Sequence, residues 1–268
     1  MITPTLAKEY KGGKSLKDHL YVLSQPKLDG VRCLVTKQDG NIKAYSRNGK
    51  EFYNVMHIIK ELEGKIKEGE IIDGELYNHD IDFNDIISIV RKKNLSINDV
   101  RKSKKLLKYI IYDTVTNDNY SNRFEKLKKF SGNYVKVIEC RCIISSLINK
   151  TLDEYIANGY EGQIIRLQST GYEYGRSSNI LKHKKFKDAE FRIIRVLEGV
   201  GKRKGMAGSL LLTDGKKEFK CSVAGTDEYK IKLLKSKVKN KLATVKFFEY
   251  TPEKVPRFPI LVEIRDYE

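Results

Sequence analysis

The sequence contains no apolar run approaching the ~20 residues of a membrane-crossing helix, so no membrane span is expected. Its opening segment, MITPTLAKEYKGGKSLKDH, has no apolar h-region, so no secretory signal is read there and an intracellular site is expected. Cysteine is scarce: the four thiols are Cys33, Cys140, Cys142 and Cys221. Cys140 and Cys142 are spaced to share one strand face, but no second Cys/His cluster faces them, which argues against zinc. Free, buried thiols in a reducing compartment are the expectation. The four histidines, His19, His57, His79 and His183, show no metal-ligand spacing. No internal repeat or low-complexity linker interrupts the chain. Acidic residues are in deficit, 35 Asp plus Glu against 52 Lys plus Arg, leaving a formal charge of +17.

What is present is a 268-residue chain of 40% hydrophobic residues, enough to bury a core in one large domain or two modest ones. Surplus positive charge points to a polyanionic partner. VRCLVTK and NIKAYSR, joined through Asp39-Gly40, read as a β-hairpin whose turn needs positive φ. VMHIIKELE (55–63) has helical apolar spacing and stops at Gly64. EIIDGEL (70–76), KLLKYIIYDTV (105–115) and QIIRL (163–167) read as strands, and RFEKLKKF (123–130) and TLDEYIAN (151–158) as helices. Beyond about residue 187 the texture changes to FRIIRVLEG, SLLLTDGKKEFKCSV, KLATVKFFEY and PILVEIR, with one amphipathic stretch, EYKIKLLKS (228–236). Five short strands and one helix suit a small barrel of the oligonucleotide-binding (OB) type. The expected organisation is an α+β domain over 1–187 and an OB-fold barrel over 188–268.

The chemistry concentrates in Gln25-Pro26-Lys27-Leu28-Asp29-Gly30-Val31-Arg32, where a lysine stands just before a turn into a strand. A lysine crowded by other cations loses its proton more readily and becomes a nucleophile. An ordered set follows: Ser46-Arg47-Asn48-Gly49, Asp73-Gly74-Glu75-Leu76, Tyr109-Ile110-Ile111-Tyr112-Asp113, Glu161-Gly162-Gln163-Ile164-Ile165-Arg166, Leu181-Lys182-His183-Lys184, and finally Pro256-Arg257-Phe258-Pro259 with Arg265. In order and spacing the set resembles the covalent nucleotidyltransferase superfamily. The nearest likeness is to the ATP-dependent DNA ligases of the minimal two-domain type, and it covers nearly the whole chain.

The resemblance implies a nucleotidyltransferase (adenylation) domain followed by the barrel, with ATP as substrate and Mg²⁺ or Mn²⁺ as metal. Lys27 would attack the α-phosphorus of ATP to give lysyl-AMP. AMP would pass to the 5′-phosphate of a nick in duplex DNA, and the 3′-hydroxyl would then seal the strand. Lys182 and Lys184 would favour the neutral Lys27 amine and neutralise the α-phosphate. Glu75 and Glu161 offer the hard oxygens that Mg²⁺ prefers. Tyr112 would stack on adenine, and Gln25 would bond its edge. Arg32 and Arg47 suit the 5′-phosphate of the nick, with Arg166 and Arg176 as further phosphate contacts. Arg257 and Arg265 would orient the departing pyrophosphate, with a hinge near Lys187 letting the barrel swing.

Two basic stretches suit duplex phosphates: Arg91-Lys92-Lys93 through Lys105, and Lys202-Arg203-Lys204 in the loop GVGKRKG. That loop is too short to encircle DNA, so groove binding without a full clamp is expected. Four alternatives are weighed. An NAD-dependent ligase would need an N-terminal domain that 26 residues before Lys27 do not supply. An mRNA capping guanylyltransferase shares the lysine chemistry, but the SRNG and PRFP segments look like ligase. An RNA ligase lacks this barrel. A non-catalytic OB-fold nucleic-acid-binding protein would explain the charge but not the placement of Lys27, Glu161, Lys182 and Lys184. A monomer is expected, because a nick is asymmetric. The tasks open to such an enzyme are DNA repair, replication and recombination.

Overall fold

A computed structural model describes residues 3–16, 19–168, 171–251 and 253–265. The chain divides into two compact units, Met1–Lys184 and Lys185–Glu268.

In the first unit the elements run in chain order as follows: β1 (Leu6–Glu9), β2 (Tyr21–Lys27), β3 (Val31–Gln38), β4 (Asn41–Ser46), α1 (Met56–Leu62), β5 (Ile71–Tyr77), α2 (Phe83–Val90), α3 (Ile97–Leu106), β6 (Lys108–Thr114), α4 (Tyr120–Leu127), β7 (Val135–Val137), β8 (Arg141–Ile144), α5 (Ile148–Ala157), β9 (Gly162–Arg166) and β10 (Arg176–His183). They build two five-stranded sheets, one in the order β1-β10-β9-β2-β8 and the other β4-β3-β5-β6-β7. The β3–β4 hairpin closes through Asp39 and Gly40, both at positive φ. Helix α1 gives way to Gly64, also at positive φ. The larger core gathers β3, β5 and β6 with α1 and α2 around Val35, Ile58, Ile72, Ile86 and Ile111. A smaller core under the other sheet holds Val22, Ile148, Ile165 and Leu181.

One boundary moves. The run expected as a strand from 105 begins only at Lys108. Residues 97–106 form α3, started by a reciprocal cap between Ser96 and Asp99 and ended at Leu107. Among the thiols, Cys33 and Cys221 are buried as expected, but Cys140 is half-buried and Cys142 exposed, because β8 turns that side chain outward.

The second unit is a closed barrel in the order β11-β12-β13-β15-β14. Its elements are β11 (Lys187–Glu198), β12 (Ala207–Thr213), β13 (Glu218–Ser222), α6 (Asp227–Lys235), β14 (Leu242–Phe247) and β15 (Ile260–Arg265). Closure removes the exposed strand edges that an open sheet of this size would leave. Alternate residues Phe191, Ile193, Leu210, Leu212, Ala243 and Val245 point inward, and Leu233 of α6 packs onto the same core.

Candidate active site

Strand pairing places the central lysine. β2 runs antiparallel to β9 with Lys27 opposite Gly162, and the Glu161 amide donates to the Lys27 carbonyl at 3.1 Å. Glu161 therefore stands beside Lys27 through backbone register, not through a flexible reach. Its Oε2 pairs with Lys27 Nζ, and its Oε1 pairs with Lys184 Nζ. The Glu161 side chain is only 7% exposed. Two ammonium groups thus share one buried carboxylate, which leaves the trio with net positive charge. Gly162 permits this spacing: a Cβ there would run into the His183 carbonyl of β10.

Lys27 opens onto a cleft of about 1110 Å³, lined also by Glu75, Tyr112, Arg32, Arg47, Arg176 and Lys182. Gly30 keeps the approach narrow, since a Cβ at that position would lie 2.5 Å from the Leu76 carbonyl and 2.7 Å from Glu75 Cγ. Glu75 receives the Tyr112 hydroxyl at 3.2 Å. Burial pushes the Glu75 carboxyl up to about 7, against the opposing pull of Lys27, Arg32 and the Tyr112 hydroxyl. The Tyr112 ring has two guanidinium groups near it, Arg32 at 5.7 Å and Arg166 at 5.6 Å.

Arg32 reaches the cleft already paired. Its Nε donates to Asp73 Oδ1 at 2.9 Å, a second nitrogen donates to Oδ2, and the third donates to the Thr5 carbonyl. Asp73 is fully buried and also accepts the Tyr172 hydroxyl at 2.6 Å. Arg32 is thus held rigidly with its charge balanced, and two of its five N–H groups remain for a ligand.

Two of the expected contacts, Gln25 and Arg166, line the cleft but lie deep in its wall. Gln25 was read as bonding the adenine edge, but its side chain is internal, at 1% exposure. Its Oε1 accepts Arg166 Nε at 2.8 Å and its Nε2 donates to the Tyr120 hydroxyl at 2.6 Å. Arg166 was read as a phosphate contact. It is 5% exposed, pairs with Asp113 at 2.8 Å, and lies over the Tyr120 ring at 4.3 Å. Arg123 takes the other oxygen of Asp113 at 2.7 Å. Gln25 and Arg166 therefore join a buried Arg–Asp–Arg network that forms part of the cleft wall.

The remaining residues fall into three places. Arg47 and Arg176 are exposed at the cleft, Arg176 bonding the Ala7 carbonyl at 3.4 Å. Lys182, on β10 opposite Ile164, lines the cleft. Arg257, Arg265, Lys202, Arg203 and Lys204 lie in the second unit. There Arg257 pairs with Glu249 at 2.6 Å, and Arg265 with Glu263 at 2.7 Å and Glu190 at 3.4 Å. Lys202, Arg203 and Lys204 are exposed on the short loop between β11 and β12.

Sequence reasoning found the basic triplet Arg91-Lys92-Lys93 but missed the apolar part of the cleft beside it. Beyond Arg47, its floor is Phe52, Phe83, Ile87 and Val90, and its rim carries Lys50, Arg91, Lys92 and Lys93. The available signals were the Phe52-Tyr53 pair after SRNG and the helical spacing of Phe83, Ile87 and Val90 leading into a basic triplet. Among the described residues no group of three or more His, Cys, Asp or Glu side chains gathers to hold a metal ion. The donor set, single carboxylates at an open cleft, suits an ion that keeps water and substrate oxygens, as Mg²⁺ does.

The family comparisons agree with this layout. A model described as the ATP dependent DNA ligase domain matches residues 4–184, and one described as a DNA ligase OB-like domain matches residues 198–265. The fold is thus an adenylation domain followed by an OB-like barrel. The chain belongs to the ATP-dependent DNA ligase family. A DNA ligase of African swine fever virus (isolate Pig/Kenya/KEN-50/1950) is 29% identical over 219 residues, covering 74% of this chain and 50% of the relative. The chain spans about half the length of such curated relatives. A solved structure of a Lig E DNA ligase superposes with a TM-score of 0.83 at 25% identity, over 99% of this chain and 100% of that one. The Chlorella virus DNA ligase-adenylate gives a TM-score of 0.53 at 25% identity, over 100% of this chain and 99% of that one.

Proposed function

We propose that this chain is an ATP-dependent DNA ligase that seals nicks in duplex DNA through a lysyl-AMP intermediate. The observation that carries the reading is the Lys27–Glu161–Lys184 trio at the edge of the cleft beside Tyr112 and Glu75. Glu161 is the base within reach of the Lys27 proton, and Lys184 shares its carboxylate. Lys27 Nζ forms a bond to the α-phosphorus of ATP as the bond to the pyrophosphate oxygen breaks. Lys182 and Lys184 counter the charge that develops on the α-phosphate, and the Tyr112 ring is the stacking surface for adenine. Glu75 or Glu161 would hold Mg²⁺ or Mn²⁺, which would supply charge neutralisation.

The second compartment of the cleft suits a strand end. Its apolar floor can take sugar and base edges, while Arg47, Lys50, Arg91, Lys92 and Lys93 meet phosphates at the rim. Arg176 lies at the rim and Arg32 offers its two spare N–H groups. In this reading the first unit carries the adenylyl chemistry. The barrel contributes Arg257 and Arg265 to the pyrophosphate, and Lys202, Arg203 and Lys204 to the duplex backbone. The enzyme works as a monomer, one cleft serving one nick, inside the cell where ATP and nicked DNA occur. Incubation with ATP, Mg²⁺ and a duplex bearing a single 3′-hydroxyl/5′-phosphate nick tests it. The expected product is the sealed strand. Absence of both sealed strand and 5′-adenylated strand would refute the reading.

A further inference from the structure

The barrel carries a second cationic segment that the chemistry above leaves unused. From Lys230 to Lys241 the sequence KIKLLKSKVKNK holds six lysines and no acid. In the fold, Leu233 and Val238 are the residues of this segment that plug the core, at 4% and 8% exposure. Those two anchors turn Lys232, Lys235, Lys237 and Lys239 outward, and all four are exposed. Three other cations of the unit are paired with acids: Arg257 with Glu249, Arg265 with Glu263 and Glu190, and Lys230 with Asp227. Among the described residues these four lysines form no ion pair. Exposed arginine and lysine continue the patch, since Arg192 of β11 donates to the Asn240 carbonyl at 3.2 Å and Lys216 and Lys217 form the adjoining β12–β13 turn.

Strand register fixes where this patch lies within the barrel. Arg192 is opposite both Thr213 and Leu242, so the patch sits at the end of the barrel where β12 turns into β13 and β14 begins. The Lys202–Lys204 loop leaves the other end, where Glu198 faces Ala207. Six residues of β11 separate the two ends, about 20 Å at the usual strand rise. That distance corresponds to about six phosphates of one DNA strand at 3.4 Å each along the axis.

We propose that the α6–β14 segment is a second contact for the duplex DNA backbone, gripping the double helix about 20 Å along the barrel from the 202–204 loop. The inference rests on the ligase reading for its partner. Unpaired lysines with no aromatic neighbours among them fit sequence-independent phosphate contact, in which ion release drives binding.

The test replaces Lys232, Lys235, Lys237 and Lys239 together by Gln, with an all-Arg version at the same positions as the charge-keeping control. Affinity for nicked duplexes with progressively longer arms is measured across salt concentration, alongside lysyl-AMP formation from ATP without DNA. On long arms the Gln variant is expected to lose about 2 to 4 from the log–log salt slope, at about 0.9 per phosphate contact. The Arg version should keep the wild-type slope, and on the shortest arms all three proteins should agree. Wild-type slope in the Gln variant on every duplex would overturn the proposal. Chemical acetylation of the wild-type protein gives an independent readout that needs no variant to fold. These four lysines should be protected by long nicked duplex, and equal labelling with and without DNA would also overturn it. Failure of the wild-type protein to form lysyl-AMP would instead count against the ligase reading itself.

Discussion

Lys27 and Glu161 are joined by an ion pair across neighbouring strands, and the pairing of β2 with β9 holds them there. Because Lys184 occupies the other oxygen of the same carboxylate, Glu161 cannot satisfy both cations fully. In the proposed reaction Lys27 is the nucleophile, and this shared carboxylate is the group beside its amine.

Glu161→Gln keeps the size of the side chain but removes the shared charge. Lysyl-AMP formation from ATP should fall by about 100-fold or more, the scale of a lost general base. Nucleotide-dependent labelling over time measures it, with thermal unfolding as the control for folding. Retained labelling rate would remove Glu161 from the chemistry.

Tyr172 positions Arg32 at one remove, through Asp73. Its hydroxyl bonds the buried carboxylate at 2.6 Å and accepts the Thr5 amide at 3.2 Å. Tyr172→Phe removes a hydrogen bond to a charged group, worth about 1.5–3 kcal/mol. Beyond the loss of stability, KM for nicked DNA should rise while the rate of lysyl-AMP formation changes little. A purely structural tyrosine would lower stability and leave that KM in place.

His57 gives the first unit a pH dependence remote from the cleft. Burial holds its ring below the ordinary histidine value, with Lys104 adding to the effect and the Leu107 carbonyl and Glu61 opposing it. A base whose folded value is depressed stabilises the fold above its unfolded value, near 6.5, and loses that contribution as pH falls toward the folded value. Melting temperature should therefore drop on going from pH 7.5 to 5.5, and less steeply in His57→Gln. Parallel curves for the two proteins would exclude His57 as a source.

The sequence was most informative where local chemistry decides the structure. The Asp39-Gly40 turn, the Gly64 stop after α1 and the lysine at the end of β2 are all readable from neighbouring residues. The depth of Gln25 was not legible, because its burial depends on Tyr120 and Arg166, 95 and 141 residues away. Helix α3 was invisible for a different reason: Ser103 is its one buried residue among those described, so it has no apolar stripe to detect. The second compartment of the cleft likewise unites Phe52 with Phe83 and Ile87, which only the tertiary fold brings together.

The most direct test is the site of covalent labelling. The protein is mixed with Mg²⁺ and labelled ATP, denatured, digested and analysed by mass spectrometry. The account predicts one AMP per chain on Lys27, absent in Lys27→Ala and not formed from GTP. Labelling on another residue, or none with ATP, would contradict it.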